Sequence, residues 1–212
     1  MKDNRGVMGL GLLLVVAGAL LLLQNFGVFG PILANAVWVL LFGLGGLVFL
    51  AVFILNREQW WALIPGLTLL GLAILVGFGE RLGAWGAAIF LASIGLSFWL
   101  IYAVRPEFWW AIIPGGSLFS VAALVALEAT GSVKDEATVG VMFLGLAITF
   151  GLVYLLPGGQ EERRWALIPG GILALMGFLM LLTLGGLINY VWALALIAAG
   201  GYILWRALRM RA

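Results

Sequence analysis

One short motif occurs three times in this chain: Trp60-Trp61-Ala62-Leu63-Ile64-Pro65-Gly66, Trp109-Trp110-Ala111-Ile112-Ile113-Pro114-Gly115 and, with a single tryptophan, Trp165-Ala166-Leu167-Ile168-Pro169-Gly170. Each copy follows a short charged segment and opens a long apolar run. Proline is tolerated in the first turn of a helix, where its missing N–H would have no helical acceptor. The motif therefore predicts a helix start with a glycine packing surface. A broken helix end that lines a cavity is the alternative.

The composition places these helices in a membrane. Of the 212 residues, 65% are apolar and 9% are charged, and the mean hydropathy is +1.20. Soluble domains have about 45–50% apolar and about 25% charged residues. Uncharged runs cover residues 6–56, 59–79, 82–104, 108–127, 137–160 and 165–205. Because a helix crosses the hydrocarbon core with about 20 residues, each shorter run predicts one span and each of the two long runs predicts two.

We therefore predict an all-α integral membrane protein with eight transmembrane helices, at about 7–24, 32–55, 61–78, 84–104, 110–128, 137–156, 166–184 and 189–207. Turn-forming residues divide the two long runs at 24–31 and 185–190. A cleaved signal peptide is the competing interpretation of the N-terminus, since residues 17–19 have the small-x-small form of a cleavage site. The apolar run continues past that site through Leu23, which favours a retained first span.

The spacing of the motif predicts a single membrane domain, 1–212, built from four helical hairpins at about 5–56, 57–105, 106–158 and 159–212. Pro65 and Pro114 are 49 residues apart, and Pro114 and Pro169 are 55 apart. Aromatic pairs at i and i+4 also recur late in alternate spans, at Phe49/Phe53, Phe98/Tyr102 and Phe150/Tyr154. Since each unit has two spans, all units are expected to insert in the same orientation, unlike inverted-repeat transporters.

The basic residues predict how the chain is oriented. If the spans alternate, Arg81 and Lys134 lie on one side, and nine basic residues lie on the side of both termini: Lys2, Arg5, Arg57, Arg105, Arg163, Arg164, Arg206, Arg209 and Arg211. The positive-inside rule then places both termini in the cytoplasm. We expect a multi-pass protein of the plasma (inner) membrane. Most tryptophans fall near span ends, which predicts an aromatic belt; an indole-lined ligand site is the alternative.

The sequence offers few groups for chemistry. It has no cysteine and no histidine, which excludes disulfides, thiolate chemistry and the usual zinc and haem sites. No charged residue falls in the middle of a predicted span, which argues against proton-coupled carriers, pumps and voltage sensors. We expect Glu128 to be interfacial, Asn35 and Asn189 to be helix caps or interhelical hydrogen-bond partners, and Arg163 to be part of a charged rim. No catalytic, cofactor-binding or metal-binding residue is predicted.

Two stretches carry a resemblance to a known family. Residues 5–14, Arg-Gly-Val-Met-Gly-Leu-Gly-Leu-Leu-Leu, with 18–27, Gly-Ala-Leu-Leu-Leu-Leu-Gln-Asn-Phe-Gly, resemble the transmembrane region of the LiaI/LiaF-like family of bacterial membrane proteins. The unit Trp-Ala-Leu-Ile-Pro-Gly-Gly-Ile-Leu-Ala-Leu-Met-Gly from Trp165 is similar to the Trp-led helices of that family. A weaker similarity is to the HdeD-like family of repeated hairpins. The resemblance implies an association with cell-envelope stress and covers the membrane module alone, without the soluble C-terminal domain of LiaF-like proteins.

Two functions remain open at this point. The first is a non-enzymatic membrane module that acts as a scaffold, an accessory subunit or an envelope-stress factor. Its expected partners are membrane lipids and other membrane subunits or further copies of itself, with no nucleic acid and no cofactor. The second is a channel or carrier for an uncharged or lipidic substrate, which the fourfold parallel repetition favours. An enzymatic function is not expected, because the chain lacks a recognisable set of residues for acid–base or metal catalysis.

Overall fold

The structure, a computed structural model, describes residues 31–131, 135–159 and 161–182, together with positions 15, 18, 19, 22, 196–198, 200–203 and 206. These residues form helices and turns and no strand. The six α-helices of the continuous part are α1 (Pro31–Leu55), α2 (Leu63–Leu82), α3 (Ala84–Val104), α4 (Ile112–Thr130), α5 (Asp135–Leu155) and α6 (Leu167–Leu182). One 3-10 turn precedes each of α2, α4 and α6, at Trp60–Ala62, Trp109–Ala111 and Arg164–Ala166.

Six segments are long and apolar enough to cross a membrane: Asn35–Leu55, Trp60–Leu82, Ala84–Val104, Trp109–Thr130, Ala137–Leu155 and Arg164–Leu182. They correspond to six of the eight predicted spans. An all-helical, multi-pass membrane protein is therefore confirmed at this level. The predicted spans at about 7–24 and 189–207, the turns that divide the long runs, and Asn189 lie outside the described residues or are described at a few positions only.

The end of α2 is the boundary that differs most from the sequence prediction. The predicted span stops at about 78, whereas α2 continues to Leu82 and includes Glu80 and Arg81. The prediction was wrong because it ended the helix before its first charge. A long charged side chain can reach water from the last turn of a membrane helix while the backbone stays helical. Gly83, with φ at 54°, then turns the chain directly into α3.

The helices form a row in which each packs against the helix before it and the helix after it. No other pair among α1 to α6 forms a comparable interface. Because the connections are short, neighbouring helices are antiparallel. Large apolar side chains are exposed along the row, among them Leu47, Leu100, Ile148 and Phe178. Lipid tails are as apolar as these side chains, so their exposure is compatible with a bilayer.

Glycines let the helices approach closely, as the motif predicts. Across the α4–α5 seam, a Cβ at Gly116 would collide with Thr149, and a Cβ at Gly145 would lie 2.5 Å from the Ser120 hydroxyl. The hydroxyl residue of each helix thus packs against the glycine of the other helix. The Ser120 hydroxyl donates to the Gly116 carbonyl at 2.8 Å, and the Thr149 hydroxyl donates to the Gly145 carbonyl at 2.9 Å. Hydrogen bonds to their own helix satisfy these hydroxyls in apolar surroundings.

Candidate functional site

Three connections lie at one end of the bundle, which we call the connection end: residues 56–62, 105–111 and 156–166. They share one backbone pattern. The N–H of an alanine donates, at 3.0 Å in every case, to the carbonyl three residues earlier: Ala62 to Gln59, Ala111 to Phe108 and Ala166 to Arg163. All three alanines are 0% exposed. The 3-10 turn leaves no room for a larger side chain at this point of the helix junction.

An aromatic contact also recurs in each connection. The tryptophan that precedes the buried alanine meets a phenylalanine of the preceding helix edge-to-face, with centroids 6.1–6.4 Å apart and planes at 73–79°: Phe49–Trp61, Phe98–Trp110 and Phe150–Trp165. Such pairs contribute about 0.5–1.5 kcal/mol beyond the area they bury. The exposed faces of these tryptophans lie at helix ends, where the predicted aromatic belt would be.

The first and second connections are joined by an ion pair. Arg105 Nη2 lies 2.6 Å from Glu58 Oε1, and Arg105 Nη1 lies 3.4 Å from Glu107 Oε1. The hydrogen bond to Glu58, followed by its charge and then by Glu107, raises the pKa of Arg105 above its ordinary value. Glu58 is 77% exposed and Arg105 is 28% exposed, so water screens this pair. Beside it, Trp60 and Phe108 pack with centroids 4.7 Å apart.

The second and third connections are joined by Arg163. Its Nη2 donates to the carbonyls of Leu156 and Pro157 at 2.8 and 3.0 Å, and its guanidinium carbon lies 5.7 Å from the centroid of Trp109. The predicted charged-rim role was wrong for this residue, which is 6% exposed. A cation is favoured here because these two carbonyls, directly after the end of α5, have no helical donor.

The position of Arg163 relative to the recurring alanine gives a faint sequence signal of its burial. It stands three residues before buried Ala166, where the second connection has Phe108 before Ala111. An arginine in place of a phenylalanine that packs inward indicates a buried cation with polar groups around it. Neighbouring Arg164, by contrast, is exposed and pairs with Glu161 at 2.7 Å.

The other polar and aromatic residues of interest lie in different environments. Glu128 is exposed near the end of α4, and its interfacial position stays a prediction. The cap predicted for Asn35 was wrong: it lies in the second turn of α1 and is exposed. It bonds to no neighbouring helix among the described residues, and an interhelical bond to the span at about 7–24 stays a prediction. Because α1 already begins at Pro31, Asn35 falls beyond the capping position. Trp99 packs its indole against Gly115, and its buried Nε1 has no acceptor among the described residues.

A groove lies at the other end of the bundle, which we call the opposite end, where α1 begins and α2 finishes. Its volume is about 890 Å³, and it is lined by Asn35, Ala36, Val39, Leu40, Val76, Gly77, Phe78, Glu80 and Arg81. The sequence prediction missed it because it treated Glu80 and Arg81 as loop residues. Their placement four residues after Val76 and Gly77 was the available signal, since residues at i and i+4 share a helix face.

Most of the buried polar side chains described above are bonded to backbone carbonyls. Within 31–131, 135–159 and 161–182, no three acidic side chains come together in a way that could hold a metal ion. The described seam hydroxyls are bound to their own helices, and Arg163 is bound to carbonyls. Comparisons of the chain with protein-family models, with curated proteins and with solved structures found no match.

Proposed function

We propose that this chain is a non-enzymatic membrane module of eight spans that acts as a scaffold or accessory subunit, in the setting of cell-envelope stress. The observation that carries the proposal is the row of α1 to α6, in which contacts follow the chain and the remaining apolar surface is exposed. A row of this kind offers long helix faces to lipids and to other membrane helices. Association between such faces depends on close packing, because hydrocarbon gives no hydrophobic drive.

The recurring contacts of the connection end support four hairpins in one orientation. The buried alanine, its hydrogen bond and the edge-to-face aromatic pair occur in all three connections. A common ancestor unit of one hairpin accounts for the same contacts at intervals of 49 and 55 residues. The remaining unit, at the start of the chain, would comprise residues 5–56. Its first span would be a diverged copy of the helices that follow the motif.

Within the proposed plasma-membrane location, the charges support an orientation with both chain ends in the cytoplasm. The three connections contain Arg57, Arg105, Arg163 and Arg164, whereas the opposite end of the described helices contains Arg81. Lys/Arg-rich connections remain in the cytoplasm. The ionisable side chains of α1 to α6 lie near helix ends rather than at mid-membrane depth. This position supports a non-enzymatic role.

Native assembly is the direct test of this function. The tagged chain would be mildly crosslinked in its own membranes and extracted into polymer-bounded discs. Native mass spectrometry would then measure the mass of the complex. We expect a defined stoichiometric complex, either with another membrane protein or with further copies of the chain. Recovery as a monomer with lipid alone, at native expression levels, would contradict the scaffold function.

The second candidate, a channel or carrier for an uncharged or lipidic substrate, is favoured by the parallel repetition. Its test uses purified chain in vesicles, with glycerol entry followed by light scattering and the flipping of a fluorescent phospholipid followed by dithionite quenching. We expect both rates to equal those of empty vesicles. A rate that increases in proportion to the protein-to-lipid ratio would replace the scaffold function with transport.

A further inference from the structure

The groove at the opposite end has polar residues at its mouth and apolar residues below. On α2, Glu80 follows Val76 and Arg81 follows Gly77 by one helical turn, and on α1 Asn35 precedes Val39 by one turn. Glu80, Arg81 and Asn35 are exposed and all line the groove. The polar atoms are therefore at the end of the span, at headgroup depth, and the apolar lining extends toward the hydrocarbon.

The base of the groove is formed by direct helix contact. A Cβ placed on Gly77 would lie 3.0 Å from a Val39 methyl group, so α1 and α2 touch at this level. Farther out, they separate to leave the volume of about 890 Å³. This volume falls in the range of known small-molecule pockets, about 300–1,000 Å³.

The two charges at the mouth are unpaired in the described structure. Neither the Glu80 carboxylate nor the Arg81 guanidinium forms an ion pair or a side-chain hydrogen bond with a described residue. The connection end differs, because Arg105 and Arg164 both have carboxylate partners there. One carboxylate, one guanidinium and the Asn35 amide thus lie at the edge of an apolar trough, with no side-chain partner among the described residues.

We propose that this groove binds a zwitterionic phospholipid whose headgroup carries a primary ammonium group, such as phosphatidylethanolamine. The inference rests on the proposed function as a membrane module and names one of its lipid partners. The Arg81 guanidinium pairs with the phosphodiester, since its planar donors match phosphate oxygens. The Glu80 carboxylate accepts hydrogen bonds from the ammonium group, and an acyl chain lies along Val39, Leu40 and Val76.

Charge complementarity selects this headgroup over two other common ones. A choline headgroup has the same charges but no N–H to donate to Glu80. A glycerol headgroup leaves a net negative lipid beside the Glu80 carboxylate, which repels it. Because the pairs lie at the water interface, we expect a preference of roughly two- to fivefold, the range of exposed ion pairs.

The test is a lipid competition on the full chain. Purified protein, delipidated in mild detergent, receives equal amounts of phosphatidylethanolamine, phosphatidylcholine and phosphatidylglycerol with identical acyl chains, and native mass spectrometry counts the adducts. We expect ethanolamine adducts to exceed choline adducts by roughly two- to fivefold. Glu80→Gln should abolish this preference while keeping total binding, and Arg81→Gln should lower binding of all three lipids.

Glu128→Gln is the matched control, since it removes an exposed carboxylate from the end of α4 without touching the groove. It should leave the adduct ratios unchanged. Equal adducts of all three lipids on the unchanged chain, or a preference that Glu80→Gln preserves, would overturn the proposal. A monomeric chain that keeps the Glu80-dependent preference would contradict the scaffold function and leave the lipid site standing, so the two failures are distinguishable.

The competing occupant is the first predicted span of the chain itself. The native sequence has no cysteine, so a cysteine at Leu40 can be paired with single cysteines at Leu13, Val16 or Leu20 against no background. We expect little disulfide formation in native membranes. Oxidation of more than about half the molecules of any pair would place that span in the groove and overturn the lipid proposal.

Discussion

The two ends of the helix row are built differently. At the connection end, side chains specify the geometry through buried alanines, edge-to-face rings and the bonds of Arg163 to two carbonyls. At the opposite end, Gly83 and Gly131 close the helices with positive φ values of 54° and 61°. The neighbouring charges Glu80 and Arg81 stay unpaired in the described structure. One end thus uses its polar groups to hold the fold, while the other presents charges that have no partner among the described residues, as the proposed lipid site requires.

Replacing the buried arginine should have the largest effect on stability. Arg163→Gln removes two charge-assisted hydrogen bonds and should lower the free energy of unfolding by about 3 kcal/mol. The matched variant is Arg164→Gln, one residue later, which loses only an exposed pair and should cost about 0.5 kcal/mol or less. Denaturant titration in detergent micelles measures both. Equal losses in the two variants would show that the carbonyl contacts do not hold the connection end.

The glycine seam gives the next largest effect. Gly116→Ala puts a methyl group into Thr149 and should cost about 1–3 kcal/mol, the usual cost of overpacking. Gly171→Ala changes the same position of the third motif, where no described atom lies within 4 Å of the added carbon. That variant should be neutral or stabilising by up to about 1 kcal/mol, since alanine favours helix. If Gly116→Ala is as stable as Gly171→Ala in the same denaturation assay, the α4–α5 seam is packed differently.

The three aromatic pairs allow a test of equivalence. Phe49→Leu, Phe98→Leu and Phe150→Leu each remove one edge-to-face contact and should each cost about 0.5–1.5 kcal/mol. Phe178→Leu, on α6 and 56% exposed, is the control and should cost less. A set in which one variant is costly and the other two match the control would break the equivalence of the three connections.

The exposed ion pair should have the smallest effect. Glu58→Gln leaves Arg105 with Glu107 alone, and we expect a smaller drop in melting temperature than for Arg163→Gln, Gly116→Ala or the three Phe→Leu variants, reduced further by salt. Because Glu58 raises the pKa of Arg105, the favourable contribution is fully present below the ordinary arginine pKa and is lost only as pH rises through the higher folded value. Melting between pH 6 and 9 should therefore show no step from Arg105; a step that Glu58→Gln removes would contradict this.

The sequence alone predicted the membrane class, six of the described helices and the position of the motif at helix starts. Those features follow from hydropathy, helix length and proline placement, which act locally. The burial of Arg163 and the free charges of Glu80 and Arg81 were not predicted. They depend on which connection lies beside which and on where α1 and α2 separate. Such tertiary relations leave only a faint sequence signal, such as Arg163 standing where Phe108 stands in the preceding copy.

The labelling of single cysteines from either side of the membrane shows whether the three connections share one membrane face. In this cysteine-free chain, single cysteines would replace Arg57, Glu107 and Glu162 at the connection end and Glu80 and Glu128 at the opposite end, and intact cells would be treated with a membrane-impermeant maleimide. We predict that the first three label only after permeabilisation and that the last two label in intact cells. Labelling of any connection-end cysteine together with Glu80→Cys or Glu128→Cys would contradict the alternating row.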